Sequence, residues 1–174
     1  MLSPAMRIFT LFQNIFPFRP FRMYRRGRPV VNHFRVNEQL YRRHRRRDIQ
    51  DGVFVGAVLQ FPKNGDNTGQ SVNRSAFSRP EDALWTDNGR LHGWGVFQFP
   101  VSCLPEKSVC AATGRQFTFF PKHVPLKNNF AHSEIWCDQL PRKNAEYVLP
   151  TRFVRKELRA RIQKHSRIVI EAEL

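Results

Sequence analysis

Acidic side chains are nearly absent from the first 47 residues, where Glu38 stands alone against 12 arginines. Residues 48–149 balance at 10 basic and 10 acidic side chains, and residues 150–174 carry 7 basic against 3 acidic. The formal charge of +15 therefore resides at the two ends, around a neutral middle. Unbalanced positive charge attracts polyanions at long range, and the attraction weakens with salt. Cysteine is also scarce. Cys103, Cys110 and Cys137 are widely spaced and odd in number, which excludes a disulfide framework, and no C-x-x-C pair exists for a zinc ribbon or a thioredoxin-like site. They read as reduced, mostly buried thiols of a cytosolic protein. No run approaches the roughly 18 apolar residues that cross a bilayer, so a soluble or peripheral chain is expected, with no transmembrane segment. Walker, G-x-G-x-x-G, H-E-x-x-H and G-x-S-x-G patterns are missing, and no cofactor or metal site is read.

What is present is an apolar, aromatic body. Hydrophobic residues make up 41% of the 174 residues, including 16 Phe, which excludes a disordered chain and suits one domain. Residues 1–47 read as an Arg-rich N-terminal arm, and residues 48–174 as a globular α+β domain. Within the arm, residues 1–22 interleave Phe with Arg, and Pro17 and Pro20 would break a long helix. The segment reads as a flexible or surface-packed arm, or as sequence upstream of a start at Met23; it lacks the features of a secretory signal. Arg42, Arg43, Arg45, Arg46 and Arg47 form a like-charge block that reads as a solvated interaction tail, or Val36 to Arg47 as a short helix with Leu40 and Tyr41 packed on the body.

Alternation of Val53, Val55, Ala57, Leu59 and Phe61 predicts a strand. A turn cluster over 63–69 and a second strand from Gln70 to Phe77 complete a hairpin. Ser78 with Glu81 three residues on predicts a capped short helix, about Arg79 to Trp85. Trp94 to Leu104 predicts a strand that Pro100 marks as an edge or a bulge. Gln116 to Phe120 and Ala131 to Cys137 read as strands flanking a loop over 121–130, and Tyr147 to Leu149 as a short apolar run. Thr151 is expected to cap a helix over Arg152 to Lys164, with Phe153, Val154, Leu158 and Ile162 on one stripe. Ile168 to Ile170 closes as a strand. The result is a single small α+β domain: an antiparallel or mixed sheet of five to seven short strands, a C-terminal helix and a basic N-terminal arm.

The charge layout predicts a nucleic-acid-associated binding protein, acting on DNA or RNA, inside the cell in the cytoplasm or on the nucleoid. Phosphate contacts are expected from Arg25, Arg26, Arg28, Arg42, Arg43, Arg45, Arg46 and Arg47, with a second patch from Arg152, Arg155, Lys156 and Arg159 on the helix. Arg25-Arg26-Gly27-Arg28-Pro29 resembles the AT-hook, which implies an extended peptide in the minor groove of A·T-rich DNA. An acidic protein partner or an anionic membrane is the other class of target.

The alternative is a small enzyme with a polar site around Arg74, His123, His132 and Glu134. Residues two apart on a strand share a side, so His132 and Glu134 would form an acid–base pair, with His123 approaching from the preceding loop. The polar run Ser71, Asn73, Arg74 and Ser75 after a Gly-rich turn suits a phosphate or carboxylate. His132-x-Glu134 is similar to the first half of the zinc-dependent nucleobase deaminase motif, but no Pro-Cys-x-x-Cys follows, which excludes that family. Leu40-Tyr41-Arg42 resembles the opening strand of ADP-ribosyltransferase-like and RES-type NAD-consuming toxins. That resemblance implies an Arg on the NAD phosphates and a late Glu or Ser, with Glu134 able to stand in for the acid. The enzyme reading is thus a hydrolase or an NAD- or nucleotide-acting transferase.

Overall fold

The computed structural model describes residues 19–50, 53–54, 69–141 and 150–173. The Phe/Arg segment up to residue 18, the strand positions over 55–61, the turn over 63–68 and the run at 147–149 lie outside the described residues.

The elements are β1 (Gln39–Arg45), β2 (Ile49–Gln50), β3 (Val53–Phe54), β4 (Gln70–Arg74), β5 (Trp85–Thr86), β6 (Gly89–Arg90), β7 (Trp94–Pro100), β8 (Ser108–Val109), β9 (Gln116–His123), β10 (His132–Leu140), α1 (Arg152–His165) and β11 (Arg167–Ile170). Short 3-10 turns occupy Phe21–Met23, Arg46–Asp48, Pro80–Leu84 and Val101–Cys103. Seven strands make one antiparallel sheet in the order β11-β7-β1-β4-β10-β9-β8, and β2-β3 and β5-β6 are separate two-stranded pairs. Among the described residues α1 is the one α-helix, so the architecture is sheet-dominated α+β. Nor does any helix among them have the length and apolarity to cross a membrane.

The segment at the end of the arm, read as a solvated tail or a short helix, is instead β1. Leu40 and His44 are fully buried, and Tyr41 is buried on the opposite side, an alternation that a helix would scramble. All seven residues pair with β7, from Gln39 opposite Pro100 to Arg45 opposite Trp94. Pairing on both sides overrides the helical propensity of an Arg-rich segment. Residues 39–45, assigned to the arm from charge, therefore sit third in the sheet. The residues before them are tied down as well. Arg22 makes two 2.7 Å bonds to the buried Asp82 carboxylate, Met23 is buried, and the Phe130 amide donates to the Met23 carbonyl at 2.6 Å.

The sheet has two unlike faces. One carries Leu40, Val72, Phe97, Phe99, Phe117, Phe119, Ile135 and Cys137 against Val154, Leu158 and Ile162 of α1. Those helix positions follow the i, i+4, i+8 spacing of a single stripe. Phe153, expected on that stripe, is 61% exposed, because it is one residue, about 100°, off it. Burial pushes the Cys103 and Cys137 thiols up to about 12, which keeps them protonated and inert. On the other face, Tyr41 and Val96 pack under Ala83 and Leu84 of the Pro80–Leu84 turn. That turn is closed by Asp82, which accepts the Arg79 amide at 2.9 Å, rather than by the predicted Ser78–Glu81 pair; the Ser78 hydroxyl donates to the Arg74 carbonyl. Thr151 holds the N-cap position of α1 without a side-chain bond. Pro100 falls at the last residue of β7, so this strand is interior in spite of its proline. β9 runs past its expected end to His123, and Pro121 fits because β8 pairs only with Gln116 and Phe117, so no strand needs an amide hydrogen from that position.

Candidate functional site

β1 and β4 pair at only two positions, Leu40 with Arg74 and Tyr41 with Asn73. Beyond them β1 runs on to Arg45 and β4 runs back to Gln70, and the two strands part. Arg42 reaches across the gap and donates to the Ser71 carbonyl at 2.5 Å. Burial, with the neighbouring Arg43 charge, lowers the Arg42 guanidinium to about 10, so it stays cationic at neutral pH. The parting opens a cleft of about 340 Å³, bordered by Tyr41, Arg42, Arg43, Gln70, Ser71, Asn73, Trp85, Trp94, Asn129 and His132. Gln70 borders it while 2% exposed, and neither polar atom of its amide has a partner.

Strand alternation puts basic and aromatic groups on this side of the sheet. The Arg45 guanidinium lies 4.5 Å from the Trp94 ring centre and that of Arg43 5.9 Å, the range of cation–π attraction. The Lys122 ammonium is 4.0 Å from the Trp136 ring centre. Arg45 at the end of β1, and Arg46 and Arg47 in the turn that follows it, are exposed. The Tyr41 phenol is raised above its ordinary value by burial first and by the Glu81 charge second, so it remains a neutral donor.

The four residues expected to converge as an enzyme site divide between the two faces. Arg74 is 2% exposed and bonded to Glu38, Nε–Oε1 at 2.8 Å and Nη2–Oε2 at 3.0 Å, and it also donates to the Val31 and His33 carbonyls. Phe34 covers its guanidinium at 3.7 Å. His123 is buried nearby, accepting the Val31 amide on Nδ1 at 2.9 Å and donating from Nε2 to the Phe130 carbonyl at 2.6 Å. Burial holds its imidazole below the ordinary value and so neutral. Both residues are fully engaged in holding residues 31–33 against the sheet.

His132 and Glu134 do share the cleft side of β10, but they do not pair. Glu134 Oε2 accepts from the Gly69 amide and from Trp136 Nε1, both at 2.9 Å. Gly69 must be glycine, since a Cβ there would lie 2.4 Å from the Ile135 carbonyl oxygen. His132 turns the other way, with Nδ1 2.7 Å from the Val124 carbonyl oxygen and Nε2 3.3 Å from Ser71 Oγ. Ser71 is the partner that reasoning from sequence missed; cross-strand pairing of β4 with β10 was the signal for it. Among the described residues, no three His, Cys, Asp or Glu side chains gather as a metal site.

The basic residues expected on nucleic acid also divide. Arg25 to Pro29 forms a turn, with the Arg28 amide bonded to the Arg25 carbonyl at 2.8 Å and with positive φ at Arg26 and Gly27, so it is not the extended rod of an AT-hook. Arg26 lies over Phe21 at 3.6 Å and Arg28 over Phe130 at 3.5 Å. Arg152 and Lys156 are exposed and Arg155 and Arg159 half-buried on α1, the helix that covers the core face of the sheet, away from the cleft. Of the arginines expected on phosphates, Arg42 and Arg43 border the cleft, Arg45 lies over Trp94 at its rim, and Arg46 and Arg47 follow in the exposed turn after β1. Compared with known protein families, with curated proteins and with solved structures, the chain matches none.

Proposed function

We propose that the protein binds single-stranded nucleic acid across the cleft side of its sheet. The observation that carries this reading is the parting of β1 from β4 beside a row of arginines, which joins a polar, aromatic-walled recess to exposed positive charge. Single-strand binders combine a basic track for the backbone with aromatic faces for the bases. Here Arg43, Arg45, Arg46 and Arg47 provide the track, and Trp85 and Trp94 provide the aromatic surface. Such contacts position a strand and carry no sequence information.

The test is fluorescence anisotropy with labelled single- and double-stranded RNA and DNA over a range of salt. Point variants are required, since removing residues 1–47 would also remove β1 from the sheet. The reading expects tighter binding to single strands. It also expects the salt slope to become shallower by about 0.7 for each of Arg45, Arg46 and Arg47 replaced by Gln. Equal, weak binding by the intact chain and by the triple variant would refute it.

A further inference from the structure

His132 and Ser71 form a pair whose chemistry does not depend on nucleic-acid binding. A backbone carbonyl oxygen can only accept, so the 2.7 Å contact with Val124 places the ring proton of His132 on Nδ1. Nε2 is then a lone-pair acceptor, and it faces the Ser71 hydroxyl at 3.3 Å. A hydroxyl in reach of a basic nitrogen, on a ring oriented through its other nitrogen, is the arrangement of an activated nucleophile. The register produces it: His132 lies opposite Asn73 and Glu134 opposite Ser71, so His132 and Ser71 are diagonal neighbours on one face. Both border the cleft, and Ser71 is exposed to it. Asn73 stands two residues along the same side. Its Oδ1 accepts from Asn129 Nδ2 at 2.8 Å, which orients its amide and leaves its own NH2 as a donor.

We infer that Ser71 is a nucleophile, with His132 as its general base, toward carboxylic esters admitted to this cleft. As the Oγ–carbonyl carbon bond forms, the hydroxyl proton passes to His132 Nε2, and the Asn73 amide donates to the oxyanion. The intermediate collapses, the bond from carbon to the leaving alkoxide breaks, and the alkoxide takes the proton from Nε2. Water then attacks the acyl-serine, His132 accepts its proton, and release of the carboxylic acid returns a proton to Oγ. Water is the only co-reactant. Trp85 and Trp94 favour an ester with a flat or apolar part, and Arg43 favours one that also carries negative charge.

The experiment uses the full chain with p-nitrophenyl acetate and a fluorophosphonate probe. Expected are a stoichiometric burst of p-nitrophenolate and a probe adduct on Ser71, located by peptide mass spectrometry. Ser71→Ala abolishes both, and His132→Gln slows acylation about 100-fold or more. Thermal unfolding checks that each variant is folded. If a variant is not, the site of labelling in the unaltered chain decides alone. A folded, unaltered chain with no adduct at Ser71, or a burst that persists in Ser71→Ala, overturns the inference. The anisotropy titration on the same preparation reports nucleic-acid binding separately, so the two readings fail independently.

Discussion

Arg74 and Glu38 form a two-pronged ion pair that is sealed from solvent, with their side chains 2% and 5% exposed. The pair joins the residue before β1 to the last residue of β4, at the point where those strands meet. Cutting one partner leaves the other charge buried and uncompensated. Glu38→Ala is expected to cost about 3–5 kcal/mol, more than the pair contributes over an apolar substitute. Urea unfolding, with the midpoint compared at constant slope, measures it.

His123 sets a pH dependence. Its folded value lies below the ordinary 6.5, chiefly from burial and then from the charges of Arg74, His132 and Arg25, against the opposing bond to the Phe130 carbonyl. The unfolded chain therefore binds a proton more readily than the folded one. This contribution is complete above about pH 6.5 and disappears as pH falls from there through the lower folded value. Urea midpoints between pH 7.5 and 5.5 should fall with acid, and His123→Gln should flatten the decline.

Gly69→Ala tests the crowding behind the cleft. The new methyl would sit 2.4 Å from the Ile135 carbonyl oxygen and 2.8 Å from Trp136 Cδ1, so β4 must shift and strain the Glu134 bond to the residue 69 amide. A loss of about 1–3 kcal/mol is expected, as for other overpacked sites. An unchanged melting temperature would show that the strand yields freely.

Deleting residues 1–47 should abolish cooperative unfolding altogether, because β1 would be withdrawn from between β7 and β4. Circular dichroism during a thermal scan distinguishes this from the removal of a dispensable tail, which would leave the transition intact.

Leu158→Ala should cost about 2–5 kcal/mol, since Leu158 is fully buried between α1 and the sheet. Phe153→Ala, on the same helix but exposed, should stay within about 0.5 kcal/mol.

Reading by periodicity succeeded where one period dominated. Arg152 to Lys164 carries a clear helical stripe and is helical from Arg152 to His165, and the aromatic runs at Trp94 and Gln116 are strands. It failed at Val36 to Arg47, where charge disguised alternation: in Leu40-Tyr41-Arg42-Arg43-His44 the buried positions carry polar atoms as well as apolar ones. The sheet order explains why the four residues divide between the two faces. His132 and Glu134 were placed on one side correctly, but which neighbour each would choose depends on β4, far away in sequence. Arg74 and His123 have catalytic chemistry and a structural use, and only their partners, Glu38 and the Val31 amide, distinguish the two.

The margins of the sheet have a consequence for how copies of the chain meet. β11 is four residues long with a register shift between Ile168 and Ile170, and β8 is two residues long. Where β9 extends beyond β8 it presents Pro121, which has no amide hydrogen, and Lys122, whose charge repels a like strand. A neighbouring molecule is thus offered no long, flat, unpaired ribbon among the described residues, and templated fibril growth from either flank is discouraged. For a protein with 16 phenylalanines, margins this short and interrupted make edge-to-edge pairing of two copies costly.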